Sequence, residues 1–357
     1  MMLSYYAFKI PFKTPFRISN QTLNTRNGII LVFDTGDFLA FGEVAPLPGF
    51  SKETIEQVLT VLIENQRNLE AAFRNDEAEQ LISILDGIHN FPSLSFGLDS
   101  LLLDLNSKKN DTLISSNLFD QVLSNPSVNG AIGIQDVESS LSKADSLTQN
   151  GISTFKIKVG ADNHKEREII QAVREKYPEV KIRIDANQAW DIDAAIRCLK
   201  SLEEFNIEYC EQPVSENDLI GLKTVKDAVS IPIAADEAVR SFHQAKELIE
   251  AKACDLLILK PSLFGRIRNC IVTKEWANSH NIDVVVTTAF DTIVGRTITA
   301  VLASGLGSEK YAHGLATGQF LNEPGDNLSE IHQGTYLLPT TPGISRNIDL
   351  SYFKKIS

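Results

Sequence analysis

The sequence predicts an α/β protein: a closed (β/α) barrel preceded by an N-terminal α+β domain. Three observations carry this expectation. Between about residue 129 and residue 315, eight short apolar runs alternate with segments of helical periodicity. Five ionisable residues, Lys158, Asp185, Glu211, Asp236 and Lys260, each close one of these runs, at steps of 27, 26, 25 and 24 residues. The first 125 residues have another rhythm, strands first and helices afterwards.

In chain order, LSYYAFKIPF, GIILVFDT and FLAFGEVA read as strands, with Gly36-Asp37 turning the chain between the last two. A helix is expected after Ser51, over Thr54–Leu69. A second starts near Ser93 and carries Leu94, Phe96, Leu98, Leu101, Leu102 and Leu105. The barrel strands follow as 131–134, 154–159, 181–186, 207–211, 231–236, 255–260, 283–288 and 311–315. KEREIIQAVREKY and DAAIRCLKSLEEF are typical of the helices between them. Eight alternating units favour closure over an open doubly wound sheet. The expected division is 1–125 for the α+β domain, 126–320 for the barrel, and 321–357 for a turn-rich tail that packs back on the first domain.

With 43% apolar and 22% charged residues, the composition is that of an ordinary globular protein. The formal charge of −12 argues against nucleic acid or an anionic membrane as partner, since both need clustered Lys and Arg. Cys198, Cys210, Cys254 and Cys270 show no paired or CxxC spacing, which favours a reducing compartment over a disulfide or zinc framework. The start, MMLSYYAFKIPF, has no basic segment followed by an apolar one, and no apolar run is long enough to span a bilayer. A cytoplasmic location is therefore expected.

Strand alternation sorts the barrel residues by face. Lys156 and Lys158 share the interior face while Phe155, Ile157 and Val159 point to the helices. Arg183, Asp185 and Asn187 fall together, Tyr209 lies beside Glu211, and Ile258 beside Lys260. Strand C-terminal ends in such a barrel meet at one rim, where active sites sit. Asp185, Glu211 and Asp236 on consecutive strands would repel one another unless a cation lay among them. Oxygen-only ligands select a hard ion, best Mg²⁺, with Mn²⁺ as an alternative. Strand-end acids also cap helices, but three in succession bracketed by lysines favour a metal site. A lysine near a second lysine or a metal is pushed toward the neutral base. Lys158 could then take a proton next to a substrate carboxylate, and Lys156 would support it by charge. Lys260 would face the substrate's other side. Phe50 and Ser51, in a loop of the first domain, and Thr287 and Thr288, at the seventh strand end, are candidate substrate contacts. His313 sits at a strand end within reach of the same rim.

KIK, DAN, EQP, DE and KP, taken in order, resemble the barrel of the enolase superfamily, in its muconate-lactonising-like subgroup, and the first domain is similar to that superfamily's capping domain. GEVAPLPGFSKET (42–54), PSLSFGLDS (92–100), NGAIG (129–133) and HGLATGQFL (313–321) are similar to o-succinylbenzoate synthases. The resemblance implies Asp185, Glu211 and Asp236 as Mg²⁺ ligands, Lys158 as base and Lys260 as the opposite partner. It implies dehydration of 2-succinyl-6-hydroxy-2,4-cyclohexadiene-1-carboxylate, a small dicarboxylate, through a metal-stabilised enediolate in menaquinone synthesis. The sequence departs from that pattern at Ala316, where an Asp is frequent, and at Arg266, where a second Gly is frequent. A racemase of N-acylated amino acids or a dipeptide epimerase would use the same lysines as alternating acid and base. A non-catalytic barrel would be expected to have lost one of the five ionisable positions, and none is lost.

Overall fold

The computed structural model describes residues 1–18, 21–77, 80–81, 91–121, 123–323, 330–344 and 348–356. In the first domain β1 (Met2–Ile18), β2 (Gln21–Asp34) and β3 (Leu39–Val44) form an antiparallel sheet. The β2–β3 turn is closed by Thr35 N–H donating to Phe38 O (3.1 Å), with Gly36 at φ 95°, where a side chain would be strained. Both faces of this sheet are covered, so GIILV is apolar without a break. Ile29, Leu31 and Phe33 pack with Leu3 and Tyr5 against the helices, while Ile30 and Val32 join the barrel's core.

The first helix is longer than its periodicity suggested, Ile55–Asn75. Thr54 caps it through a reciprocal pair with Gln57, and Asp76 ends it in the left-handed region. Ser51 does not start the helix; its hydroxyl accepts Leu47 N–H (2.9 Å) and closes a tight turn. The second helix, Pro92–Lys109, starts with proline in its first turn and buries Leu94, Leu98, Leu101 and Leu105.

The second unit is a parallel sheet in the order β10-β9-β8-β7-β6-β5-β4. Its strands are β4 (Gly130–Ile132), β5 (Thr154–Lys158), β6 (Lys181–Asp185), β7 (Ile207–Glu211), β8 (Ile233–Ala235), β9 (Leu256–Leu259) and β10 (Asp283–Val286). The expected eighth strand, 311–315, is a stave of single bridges rather than a strand. Gly314 pairs in parallel with Thr287, and His313 with Val128, so this segment joins β10 to the start of β4 and closes the barrel. β8 is shorter than expected because Pro232 has no N–H to give the ladder.

Alternation works as anticipated: Phe155, Ile157, Ile182, Ile184, Cys210, Ile233, Leu257, Leu259, Val284 and Val286 pack outward in the large core. Inside, Tyr209, Ala234, Leu256, Ile258, Val285 and Tyr311 form a small plug. Arg183 lies over the Tyr209 ring (4.7 Å) and is held by Glu208 (2.5 Å), filling the barrel below the rim. All four cysteines are buried and free. Among the described residues no helix is long and apolar enough to cross a membrane.

The two units are tied by buried polar contacts. Glu43, at the end of β3, accepts Thr292 N–H (2.9 Å), Thr292 Oγ1–H (2.6 Å) and Gly295 N–H (2.8 Å), and so caps the barrel helix Ile293–Leu306 from across the boundary. Arg266 meets both oxygens of Asp99 at 3.0 Å. β11 (Lys354–Lys355) returns the tail to β1, and Asn322 N–H donates to Pro11 O (2.8 Å).

Candidate active site

The parallel register sets Lys158, Asp185 and Glu211 side by side at the ends of β5, β6 and β7. Asp236 follows β8 directly, and Lys260 follows β9. All five point into one rim, as the spacing required. Lys158 and Lys260 stand four staves apart, on opposite sides of the row of acids.

Their ion pairs are tight. Lys156 Nζ lies between Asp185 Oδ2 (2.7 Å) and Glu211 Oε1 (2.5 Å). Lys158 Nζ donates to Asp185 Oδ2 (2.6 Å) and also to Asn187 Oδ1. Lys260 Nζ donates to Asp236 Oδ2 (2.5 Å). Burial opposes charge on all three acids, and the lysines decide which acids keep it. Despite burial, Lys156 and Lys158 hold Asp185 below the usual carboxylate range. Asp236 is lowered against burial by Lys260 and Lys156. Glu211 goes the other way: burial and then the Asp185 charge push it well above. Burial disfavours the Lys156 ammonium, yet Asp185, Glu211 and Asp236 together raise it well above an ordinary lysine. Lys260 is likewise raised against burial, by Asp236, Glu237 and Glu211.

Three residues at this rim carry backbone strain. Asn187 (φ 43°), Gln188 (67°) and Gln212 (39°) are left-handed, a conformation that costs non-glycine residues roughly 1–3 kcal/mol each. Side chains and crossing backbone bonds offset it. Gln212 Oε1 accepts Asp236 N–H (2.9 Å) and Ala238 N–H (3.2 Å), and Gln188 N–H donates to Gln212 O (2.8 Å). Asn187 Nδ2 donates to Glu237 Oε1 (2.9 Å), which fixes the amide whose oxygen holds Lys158.

The first domain reaches the site through Phe50, whose ring centre lies 5.7 Å from Lys260 Nζ. Ser51 is spent on its own turn. Thr287 and Thr288 both donate their hydroxyls to Gly314 O (2.9 and 3.0 Å), and Thr288 meets Thr317 at 2.5 Å. His313 does not reach the rim. It is buried, its Nδ1 accepts Val286 N–H (3.2 Å), and burial, then Arg183 and Lys274, push it down to about 3, so it is a neutral structural group. Sequence reasoning missed Gln212, Glu237 and Arg240. The first two stand inside EQP and DE, beside ligand candidates, and that adjacency was the available signal.

Among the described residues no three His, Cys, Asp or Glu side chains converge as a ready metal cage, because the Lys156 ammonium stands between Asp185 and Glu211. The donor chemistry nonetheless suits a hard divalent cation. Three buried carboxylates sit in a row, and Glu211 is pushed up by burial and then by the Asp185 charge, which a cation would neutralise. A cation held there would place positive charge between the two amines.

The model of the enolase C-terminal domain-like family matches residues 140–352, and that of the MenC N-terminal domain matches residues 2–105. The o-succinylbenzoate synthase of Thermobifida fusca is 36% identical over 180 residues, covering 49% of this chain and 55% of its own. The L-Ala-D/L-Glu epimerase of Clostridium acetobutylicum is 32% identical over 273 residues, covering 73% of this chain and 74% of its own. The crystal structure of the dipeptide epimerase of Cytophaga hutchinsonii, complexed with Mg and D-Ala-L-Val, superposes with a TM-score of 0.87. It is 25% identical and covers 100% of this chain and 99% of its own. The match of the enolase C-terminal domain-like model over more than half of the chain, with the MenC N-terminal domain model on the preceding unit, shows that this chain belongs to the enolase superfamily.

Proposed function

We propose that the protein is a cytoplasmic, Mg²⁺-dependent o-succinylbenzoate synthase, a carbon–oxygen lyase of menaquinone biosynthesis. In this reading 1–125 caps the site, 126–320 carries it and 321–357 braces the cap. The observation that carries the proton chemistry is the pair of amines, Lys158 and Lys260, held on opposite sides of the acid row by Asp185 and Asp236. Asp185, Glu211 and Asp236 would hold Mg²⁺, which supplies positive charge at the substrate carboxylate. Mn²⁺ has the same ligand preferences and is the expected substitute.

Lys158 takes the proton from the ring carbon bearing the carboxylate. Asn187, itself anchored on Glu237, orients that amine. The same Nζ–H then returns the proton to the departing hydroxyl. One C–H and one C–O bond break, a ring C=C forms and water leaves. Lys260 stays an ammonium and balances the charge that builds on the carboxylate. Lys156 stays protonated beside Asp185 and Glu211. Phe50 lines the pocket from the cap, Ser51 sets the turn that presents it, and Thr287 and Thr288 shape the far rim through Gly314.

Two features support a dehydratase over a dipeptide epimerase. A dipeptide has a free ammonium that needs an anionic partner, and the eighth strand end, 313–318, contains no acid. The cap matches the MenC N-terminal domain. Racemisation of an N-acylated amino acid is the second reading, favoured by the equal seating of Lys158 and Lys260 on carboxylates. The test follows loss of the cyclohexadiene absorbance with Mg²⁺ and then with excess EDTA. Parallel incubations hold N-succinylated amino acids in deuterated water. Fast, EDTA-sensitive conversion is expected. An untouched cyclohexadiene with solvent deuterium entering the acylated amino acids would move the function to the racemase branch.

A further inference from the structure

The loop Ala45–Ser51 leaves β3 and brings Phe50 to the rim of a barrel nearly 200 residues away in sequence. Its root is held by Arg26, which donates to Pro46 O (2.7 Å) and to Ala45 O. Its tip is a tight turn, with Phe50 N–H and Ser51 N–H both donating to Leu47 O (3.0 and 2.8 Å). Leu47 anchors the base of that turn in the core, so what the barrel can set is the placement of its outer end, Phe50 and Ser51.

Arg240 grips it. Nη1 donates to Phe50 O (2.9 Å), Nε donates to Glu237 O (2.9 Å), and Nη2 lies 3.5 Å from Glu216 Oε2. The same guanidinium sits 5.6 Å from the Phe50 ring centre, and Lys260 Nζ sits 5.7 Å from it. One rigid fork thus joins three loops: the cap's, the one after β7 and the one after β8. Only a planar multi-donor group spans carbonyls and a carboxylate in this way, and a lysine has a single nitrogen to offer.

We infer that Arg240 is a positioning residue that latches the cap loop to the barrel rim, seats the Phe50 ring against the Lys260 ammonium, and so sets how tightly the apolar part of the substrate is held. The latch removes part of the cost of ordering the loop before substrate arrives. Its loss therefore weakens binding more than it slows the chemical step. The effect on substrate rests on the proposed reaction, whereas the latch itself does not.

Two readouts separate these. Amide hydrogen exchange of the ligand-free full chain is compared for wild type, Arg240→Met and Arg240→Lys. Loss of one charge-assisted bond is expected to speed exchange at Phe50 and Ser51 about tenfold in the Met variant and less in the Lys variant. The helix Phe242–Glu250 should keep its protection. In steady-state kinetics, Arg240→Met is expected to raise KM about tenfold with kcat within about threefold, and Arg240→Lys, with one nitrogen in place of the fork, to recover only a small part of KM. Unchanged exchange at 50–51, faster exchange spread over the whole cap, or a fall in kcat at constant KM would each overturn the inference. If Arg240→Met does not fold, Arg240→Lys decides by the same exchange criterion. A wild type that leaves the cyclohexadiene untouched would sink the proposed function, while exchange still decides the latch.

Discussion

Glu43 is a carboxylate from one domain buried in the other, and replacing it with Gln tests how the two are joined. Its oxygens take the N–H of Thr292, the cap of the helix Ile293–Leu306, and that of Gly295 in its first turn, but burial and then the charge of Asp291 raise it to about 7. The unfolded chain titrates this group near 4.5. Between these values the folded state holds a proton that the unfolded state has released, so stability is lost as pH rises. The contribution is full below the unfolded value and gone above the folded one. From pH 5 to pH 8 the loss is about 2.5 kcal/mol for a shift of this size. Glu43→Gln keeps an acceptor oxygen and removes the titration. Urea unfolding at pH 5, 6, 7 and 8 should therefore show the variant most destabilised relative to wild type at pH 5. The gap should narrow by about 2–3 kcal/mol at pH 8. Parallel wild-type and variant curves across this range would refute the reasoning, because Glu43 would then bind no extra proton in the folded state.

Other expectations follow from the same geometry. Lys158→Ala should lower turnover by about 10³-fold or more with the circular dichroism unchanged, since the group lost is a rim base rather than a core residue. Asp236→Asn should weaken Mg²⁺ binding by roughly 10–100-fold in equilibrium dialysis, and added Mg²⁺ should restore part of the activity. Arg296 is buried with Glu330 (3.0 Å from Nε) and Glu323 (2.6 Å from Nη1). Arg296→Ala leaves both acids facing one another without their cation, and should cost roughly 3–5 kcal/mol in urea unfolding.

The barrel was legible because its strands carry two signals at once. In TFKIK and KIRID the apolar residues mark the outward face and the charged ones the interior, and each period ends at the rim. The same periodicity was enough to bring Lys158, Asp185, Glu211, Asp236 and Lys260 together, because parallel strands in register align their ends. The last stave, YAHGL, was harder. Gly314 packs against Thr287 so closely that an added Cβ would lie 2.0 Å from its Oγ1, and the segment pairs by single bridges that no propensity marks.

What the sequence by itself determined is the architecture and the set of ionisable groups, since both follow from local repetition. Only the tertiary structure decided their partners. Lys156, expected as a charge supporting Lys158, stands between Asp185 and Glu211. Thr287 and Thr288, candidate substrate contacts, spend their hydroxyls on Gly314. Glu43 caps a helix some 250 residues onward, and Arg240 holds the Phe50 loop. Periodicity fixes which way a side chain faces. Which group it meets depends on how distant segments pack, and the free energy of a buried charge is set by that meeting.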